Sequence, residues 1–147
     1  MKWVTREHPK SDRIACPWLI RKFIDPDAAI VYLPAADVLD YAEREGAISF
    51  DAPGARHSHR DGMCSFETLI ADYQLGDDPA LALMALVIHG ADVSEDGDIT
   101  PQSRGLEAIA DGFALLEIDD QTQLAQELPV YDALYAWAQH QVAVVSD

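Results

Sequence analysis

Cysteine is scarce in this chain: Cys16 and Cys64 are its two thiols. Two are too few for a disulfide scaffold, and their spacing matches no metal motif, so free thiols are expected. Cys16 precedes Pro17 at a candidate helix start, where a thiol pKa can be lowered, although a buried inert thiol is the commoner outcome. Long apolar runs are missing too. The longest, from Ala80 to Ile88, is far below the ~17–25 residues that span a bilayer, and MKWVTREHPK has no apolar segment of the secretory type. These absences predict a cytoplasmic protein without membrane contact. There is no internal repeat and no low-complexity segment. No phosphate loop, dinucleotide fingerprint or nucleophile–base arrangement occurs, which weakens every enzyme class except the metal-dependent ones.

Basic residues are few, 10 against 26 acidic ones, for a net charge of −16. They are also uneven. Lys2, Arg6, Lys10, Arg13, Arg21 and Lys22 crowd the N-terminal end, opposed there by Glu7 and Asp12, whereas Arg104 is the lone basic residue beyond Gly90. The acidic remainder repels phosphate backbones, so this chain alone is not expected to bind nucleic acid or an anionic membrane. The basic end could draw a small anion. Arg13 and Arg21 are the candidates, since guanidinium groups hold oxyanions bidentately; the structural alternative is pairing with acidic side chains. A homo-oligomer is compatible with these totals.

What is present reads as one domain of 147 residues, long enough to bury a core without staples. Strands are predicted at Lys2–Glu7, Ala29–Leu33 and Ala47–Phe50. Between them, Ile14, Leu19, Ile20, Phe23 and Ile24 recur at helical spacing, with the regular helix expected to begin near Pro17 after an irregular lead-in. A second helix runs from Pro34 to Glu45 and ends at Gly46. The β-α-β-α-β order points to a small parallel or mixed sheet over residues 1–51. Residues 52–147 read as helical, with no further strand, so the fold class is α+β. Ser65 is the expected N-cap of a short helix, and Asp78-Pro79 opens one apolar on nearly every face, the hub of the fold. Further helices follow at Gln102–Glu117 and from Asp120 to about Gln141, with a break marked by Pro129.

Around the hub lie residues that bear chemistry. His59 precedes the short helix and Glu67 occupies its first turn, while His89 and Asp92, three apart, share a face at the far end of the hub helix. Two imidazoles and two carboxylates brought together suit a divalent transition metal, zinc, iron or manganese. The bland alternatives are a macrodipole role for Glu67, a satisfied core histidine at 89 and a turn residue at 92. His57 rivals His59; His8, beside Pro9, reads as exposed.

The blocks WVTREHPKSDRIACPWLIRKFIDP, FDAPGARHSHRDGMCSFETLI and VYDALYAW resemble the chromate-resistance domain. That domain occurs at the C-terminal end of ChrB-type chromate-responsive regulators, in stand-alone copies, and fused to rhodanese-like sulfurtransferases. Its pattern, H-x-x-x-x-C-[ST]-F-E and then H-x-x-D, falls here on His59, Cys64, Ser65, Phe66, Glu67, His89 and Asp92. The resemblance implies that His59, Glu67, His89 and Asp92 are metal ligands and that His57 and His8 are not. It also implies a stress-response role, with an oxyanion such as chromate approaching from the side of Arg13 and Arg21. A metal-dependent enzyme and a non-catalytic interaction module are the alternative readings.

Overall fold

The computed structural model describes residues 1–146. Three parallel strands, β1 (Lys2–Arg6), β2 (Ala29–Leu33) and β3 (Ile48–Ser49), form a sheet in the order β2-β1-β3. Helix α1 (Ser11–Leu19) connects β1 to β2, and α2 (Val38–Glu45) connects β2 to β3. Four more helices follow: α3 (Ser65–Asp72), α4 (Pro79–Asp92), α5 (Pro101–Leu115) and α6 (Asp120–Ser146). The class is α+β. Beyond β3 only isolated bridges occur among the described residues, Phe50 with His57 and Arg60 with Met63.

Alternation along β1 sorts the two sides of the sheet. Trp3 joins the main core with Ile14, Trp18, Phe50, Phe66 and Met84, whereas Val4 packs with Val38 and Ala52 in a smaller cluster under α2. Helix α4 is the hub, packed against α1, α3, α5 and α6. It is not apolar-buried all round, since Leu86 is exposed. Its side toward α5 requires Gly90: a Cβ there would stand 2.3 Å from Ser103 Oγ. That hydroxyl donates to the Val87 carbonyl at 2.9 Å.

Three boundaries differ from expectation. Helix α1 begins at Ser11, with Pro17 inside it. The proline lacks the N–H that would bond the Arg13 carbonyl, and the Tyr32 hydroxyl donates to that carbonyl instead at 2.6 Å. A π-helical turn, Ile20–Ile24, then ends the element, closed by Asp25 N–H on the Ile20 carbonyl. Helix α6 continues through Pro129 without interruption. The N-cap of α3 is Cys64, not Ser65, in a reciprocal capping box with Glu67, and a remote side chain satisfies the next two N–H groups. The carboxylate of Asp12 accepts from Ser65 N at 2.7 Å and from Phe66 N at 3.3 Å.

Candidate metal centre

Parallel strands leave a crevice beyond their C-terminal ends, the customary place for a ligand in such sheets. Here β1 leads into α1, which carries Asp12 in its first turn, and β3 leads through Phe50 to Asp51. The α3 N-terminus and the last turn of α4, bearing Asp92, close the same space. On the loop before α3, His59 turns its Nε2 into this ring. It lies 2.9 Å from Asp92 Oδ2, 3.5 Å from Asp12 Oδ2 and 3.6 Å from Asp51 Oδ1.

The carboxylates are held from behind. Asp51 Oδ1 accepts from Ser65 Oγ at 2.8 Å, and its Oδ2 faces Arg13 Nη1 at 3.3 Å and Arg6 Nη2 at 3.5 Å. Its backbone is left-handed, with φ of 44°, a conformation that costs a non-glycine residue free energy. Thr5 Oγ1 and Arg6 Nε, both donating to the Asp51 carbonyl, fasten it there. Asp12 and Asp51 are buried, while the His59 side chain remains 48% exposed.

Charge explains the state of these groups. Three acids and two guanidinium groups surround the imidazole, and the acids favour its charged form. Its pKa is pushed up to about 9, chiefly by the hydrogen bond to Asp12, which is more deeply buried than the nearer Asp92. Burial raises Asp12 to about 7, against the opposing pull of His59. Asp92 is also raised, by burial and then by the Asp51 charge. Below Asp92 a cleft of about 290 Å³ opens between Lys10, Ser11, Glu107 and Asp111.

The other two sequence-predicted ligands form a different group. His89 Nδ1 lies 2.5 Å from Glu67 Oε1, and its Nε2 lies 2.6 Å from Asp96 Oδ2 on the short 3₁₀ turn Ser94–Asp96. Burial pulls the His89 pKa down, but Asp96 and Glu67 together leave it raised. Glu67 is aimed by the Cys64 backbone N–H, which it accepts at 2.9 Å. The donor atoms of Cys64, Glu67 and His89 lie within 4.8 Å of one another, and so do those of Asp12, His59 and Asp92. His89 and Asp92, neighbours on α4, thus belong to separate groups.

The remaining candidates are placed as follows. His57 is buried, bonded through Nδ1 to Asp72 Oδ2 at 2.7 Å and packed against Trp3 and Tyr73. His8 is exposed on the surface. Arg13 is committed to Asp51 and to the His8 carbonyl, at 2.9 Å, and its buried Nε has no partner. Arg21 donates to the Ala28 carbonyl at 3.2 Å and lines a different cleft with Trp18 and Lys22, so the two arginines do not share a pocket. Cys16 is buried and its thiol pKa is raised by desolvation and then by Asp12, the reverse of a helix-activated thiolate.

Sequence reasoning passed over Asp12, Asp51 and Asp96. Asp12 did carry a signal, as one of the two acids in the basic N-terminal stretch, and Asp51 follows directly on a strand in the FDAPGARHSH block.

The profile of the ChrB C-terminal domain matches residues 3–138. The curated relative Protein ChrB of Cupriavidus metallidurans is 37% identical over 134 residues, which cover 91% of this chain and 40% of the relative. The chain therefore matches less than half of that protein's length. No solved structure matches it.

Proposed function

This chain belongs to the family of ChrB C-terminal domains, the chromate-resistance family, and on that premise we propose that it holds one divalent transition metal at His59, Asp92, Asp12 and Asp51. The observation that carries the reading is the convergence of three carboxylates, two of them buried, on a single imidazole nitrogen. Donor atoms around one ion at ~2.0–2.2 Å are at most about 4.4 Å apart, and His59 Nε2 stands 2.9 Å, 3.5 Å and 3.6 Å from oxygens of Asp92, Asp12 and Asp51. A divalent cation would replace the His59 proton as the positive charge the acids need. Three oxygens and one nitrogen suit manganese or iron(II) and accommodate zinc.

Within this reading the protein's own parts have distinct tasks. Arg6 and Arg13 orient Asp51 and limit the negative charge. Ser65 Oγ and the α3 N–H groups hold two carboxylates in place. The bound ion would supply a Lewis acid and, with an open position, a water of lowered pKa. The cleft beside Asp92 favours a metal-dependent enzyme as the second reading, since a small substrate could lie there. An oxyanion such as chromate would have to compete with Asp51 for the Arg13 guanidinium, whose Nε is buried.

The test is manganese binding to untagged apoprotein, followed by the loss of the free aqueous Mn(II) resonance. One ion per chain is expected, with affinity at least tenfold weaker in His59→Ala and in Asp92→Asn. Unchanged affinity in both variants would remove the site.

A further inference from the structure

His89 is wired on both sides in the manner of a metal-bound imidazole. A ligating histidine commonly binds through one ring nitrogen and donates the other N–H to a carboxylate, which fixes the ring. Here Nε2 faces Asp96 Oδ2 at 2.6 Å, on a turn that follows α4. The opposite nitrogen, Nδ1, faces Glu67 Oε1 at 2.5 Å, and the Cys64 sulfur completes a group of three donors within 4.8 Å. An ion pair between His89 and Glu67 would explain two of these residues. The Cys64 sulfur also caps α3 by accepting from the Glu67 N–H, but neither role calls for a second carboxylate behind the ring.

We infer a second, separate cation site, made by Cys64 Sγ, Glu67 Oε1 and His89 Nδ1, that takes a thiophilic divalent ion such as zinc. The local fold prepares it: Cys64 is the N-cap of α3 and Glu67 lies in the first turn, and the bond from Cys64 N–H to Glu67 at 2.9 Å holds the two ligands of α3 together. Helix α4 supplies the third from the opposite wall. Sulfur, nitrogen and a single carboxylate oxygen form a softer donor set than the one around His59, so the two sites prefer different metals.

Loading balances in protons and charge. In the metal-free state the neutral Cys64 thiol, the Glu67 carboxylate and the His89 imidazolium sum to zero. The divalent ion displaces the thiol proton and the Nδ1 proton to solvent, leaving thiolate, carboxylate, neutral imidazole and the ion, again summing to zero. No net charge is added to a site whose sulfur and imidazole are buried. Access lies on the Glu67 side, where that residue borders a cleft of about 340 Å³ with Met63, Ile70 and Ala85. Asp96, on the other side, is 49% exposed and can keep its bond to Nε2 throughout.

Cobalt(II) titration of the reduced, untagged full chain tests this. A thiolate-to-cobalt charge-transfer band in the near ultraviolet should saturate at one equivalent and vanish as zinc displaces cobalt. Cys64→Ser should abolish the band, whereas Cys16→Ser and His59→Ala should keep it. Asp96→Asn should weaken zinc binding about 10–100-fold, the usual cost of removing such a partner. If Cys64→Ser does not fold, Glu67→Gln and Asp96→Asn decide by the same titration. A folded parent chain without the band overturns the inference, as does a band that survives in Cys64→Ser or disappears in Cys16→Ser. Because the band depends on thiolate, its presence beside failed manganese binding would count against the His59 site alone.

Discussion

The two imidazole clusters are built in opposite ways. His59 belongs to a loop, is half exposed, and meets, besides Asp92, two buried carboxylates braced by arginines, a serine hydroxyl and backbone N–H groups. His89 belongs to the hub helix, is itself buried, and meets carboxylates that reach the surface, Glu67 at 22% and Asp96 at 49% exposure. In the first cluster the acids are fixed and the base comes to them; in the second the base is fixed and the acids come to it. The fixed partner sets the energetics. Burial raises Asp12 and Asp92 because charge there is costly. A cation is therefore more strongly demanded at the His59 cluster.

Asp12 should give the largest effect, since it both caps α3 and faces His59. Asp12→Ala removes the acceptor of two buried N–H groups and should cost about 2–4 kcal/mol in urea unfolding. Asp12→Asn keeps one acceptor and sheds the buried charge, so it should cost much less while weakening manganese binding. Equal losses in the two variants would show that the contrast in buried charge is not what distinguishes this cluster.

Metal removal should come next. An ion present at 100 times its dissociation constant stabilises the folded state by about 2.7 kcal/mol. At ~2–4 °C per kcal/mol for a chain of this size, chelation should lower Tm by several degrees. His59→Ala should remove the manganese-dependent part of that shift and His89→Ala should not. The same variants with zinc should give the reverse assignment if the second site is filled by that metal.

The pH dependence of the metal-free chain is a smaller effect. His59 is raised from 6.5 to about 9, so its contribution is complete below pH 6.5 and is lost as pH climbs through 9. Asp12, raised from 3.8 to about 7, acts in the same direction, because the folded chain binds the proton more tightly between those values. Tm of the apoprotein should therefore fall from about pH 6 to pH 9. His59→Gln should flatten the upper part of that slope. If it does not, another raised group, His89 among them, is responsible.

Anion binding should be the weakest effect. Sulfate or chromate calorimetry should respond to Arg13→Ala and not to Arg21→Ala, because Arg21 lies on another face. A response to Arg21→Ala alone would move the anion away from the metal cluster altogether.

Much of the fold was legible from local pattern. The three strands, the apolar helix after Asp78-Pro79 and the Gly46 stop follow from side-chain periodicity and backbone chemistry within a few residues. The Pro17 boundary was not legible, since Tyr32, nineteen positions from Arg13 in sequence, relieves its cost. The Ser65 cap gives way to a capping box between Cys64 and Glu67, and only the acceptor of the next N–H groups, Asp12, is remote, 53 positions away. At the candidate sites, the pattern found both imidazoles and two carboxylates, but grouped them by helix face. Residues three apart on a helix differ by about 60° around its axis, enough for His89 and Asp92 to turn to different neighbours.

The sequence by itself determined the class of the chain, its acidic character, its family and the chemical types of donor it carries, because those depend on residue identity and short-range spacing. Tertiary structure alone decided that Asp12 and Asp51 meet His59 beyond the strand ends, that Cys64 and Asp96 flank His89, and that one expected cluster is two. Each of those meetings joins segments brought together by burial of the core, and neither the non-directional gain from apolar burial nor the long loops it closes leaves a mark in local sequence.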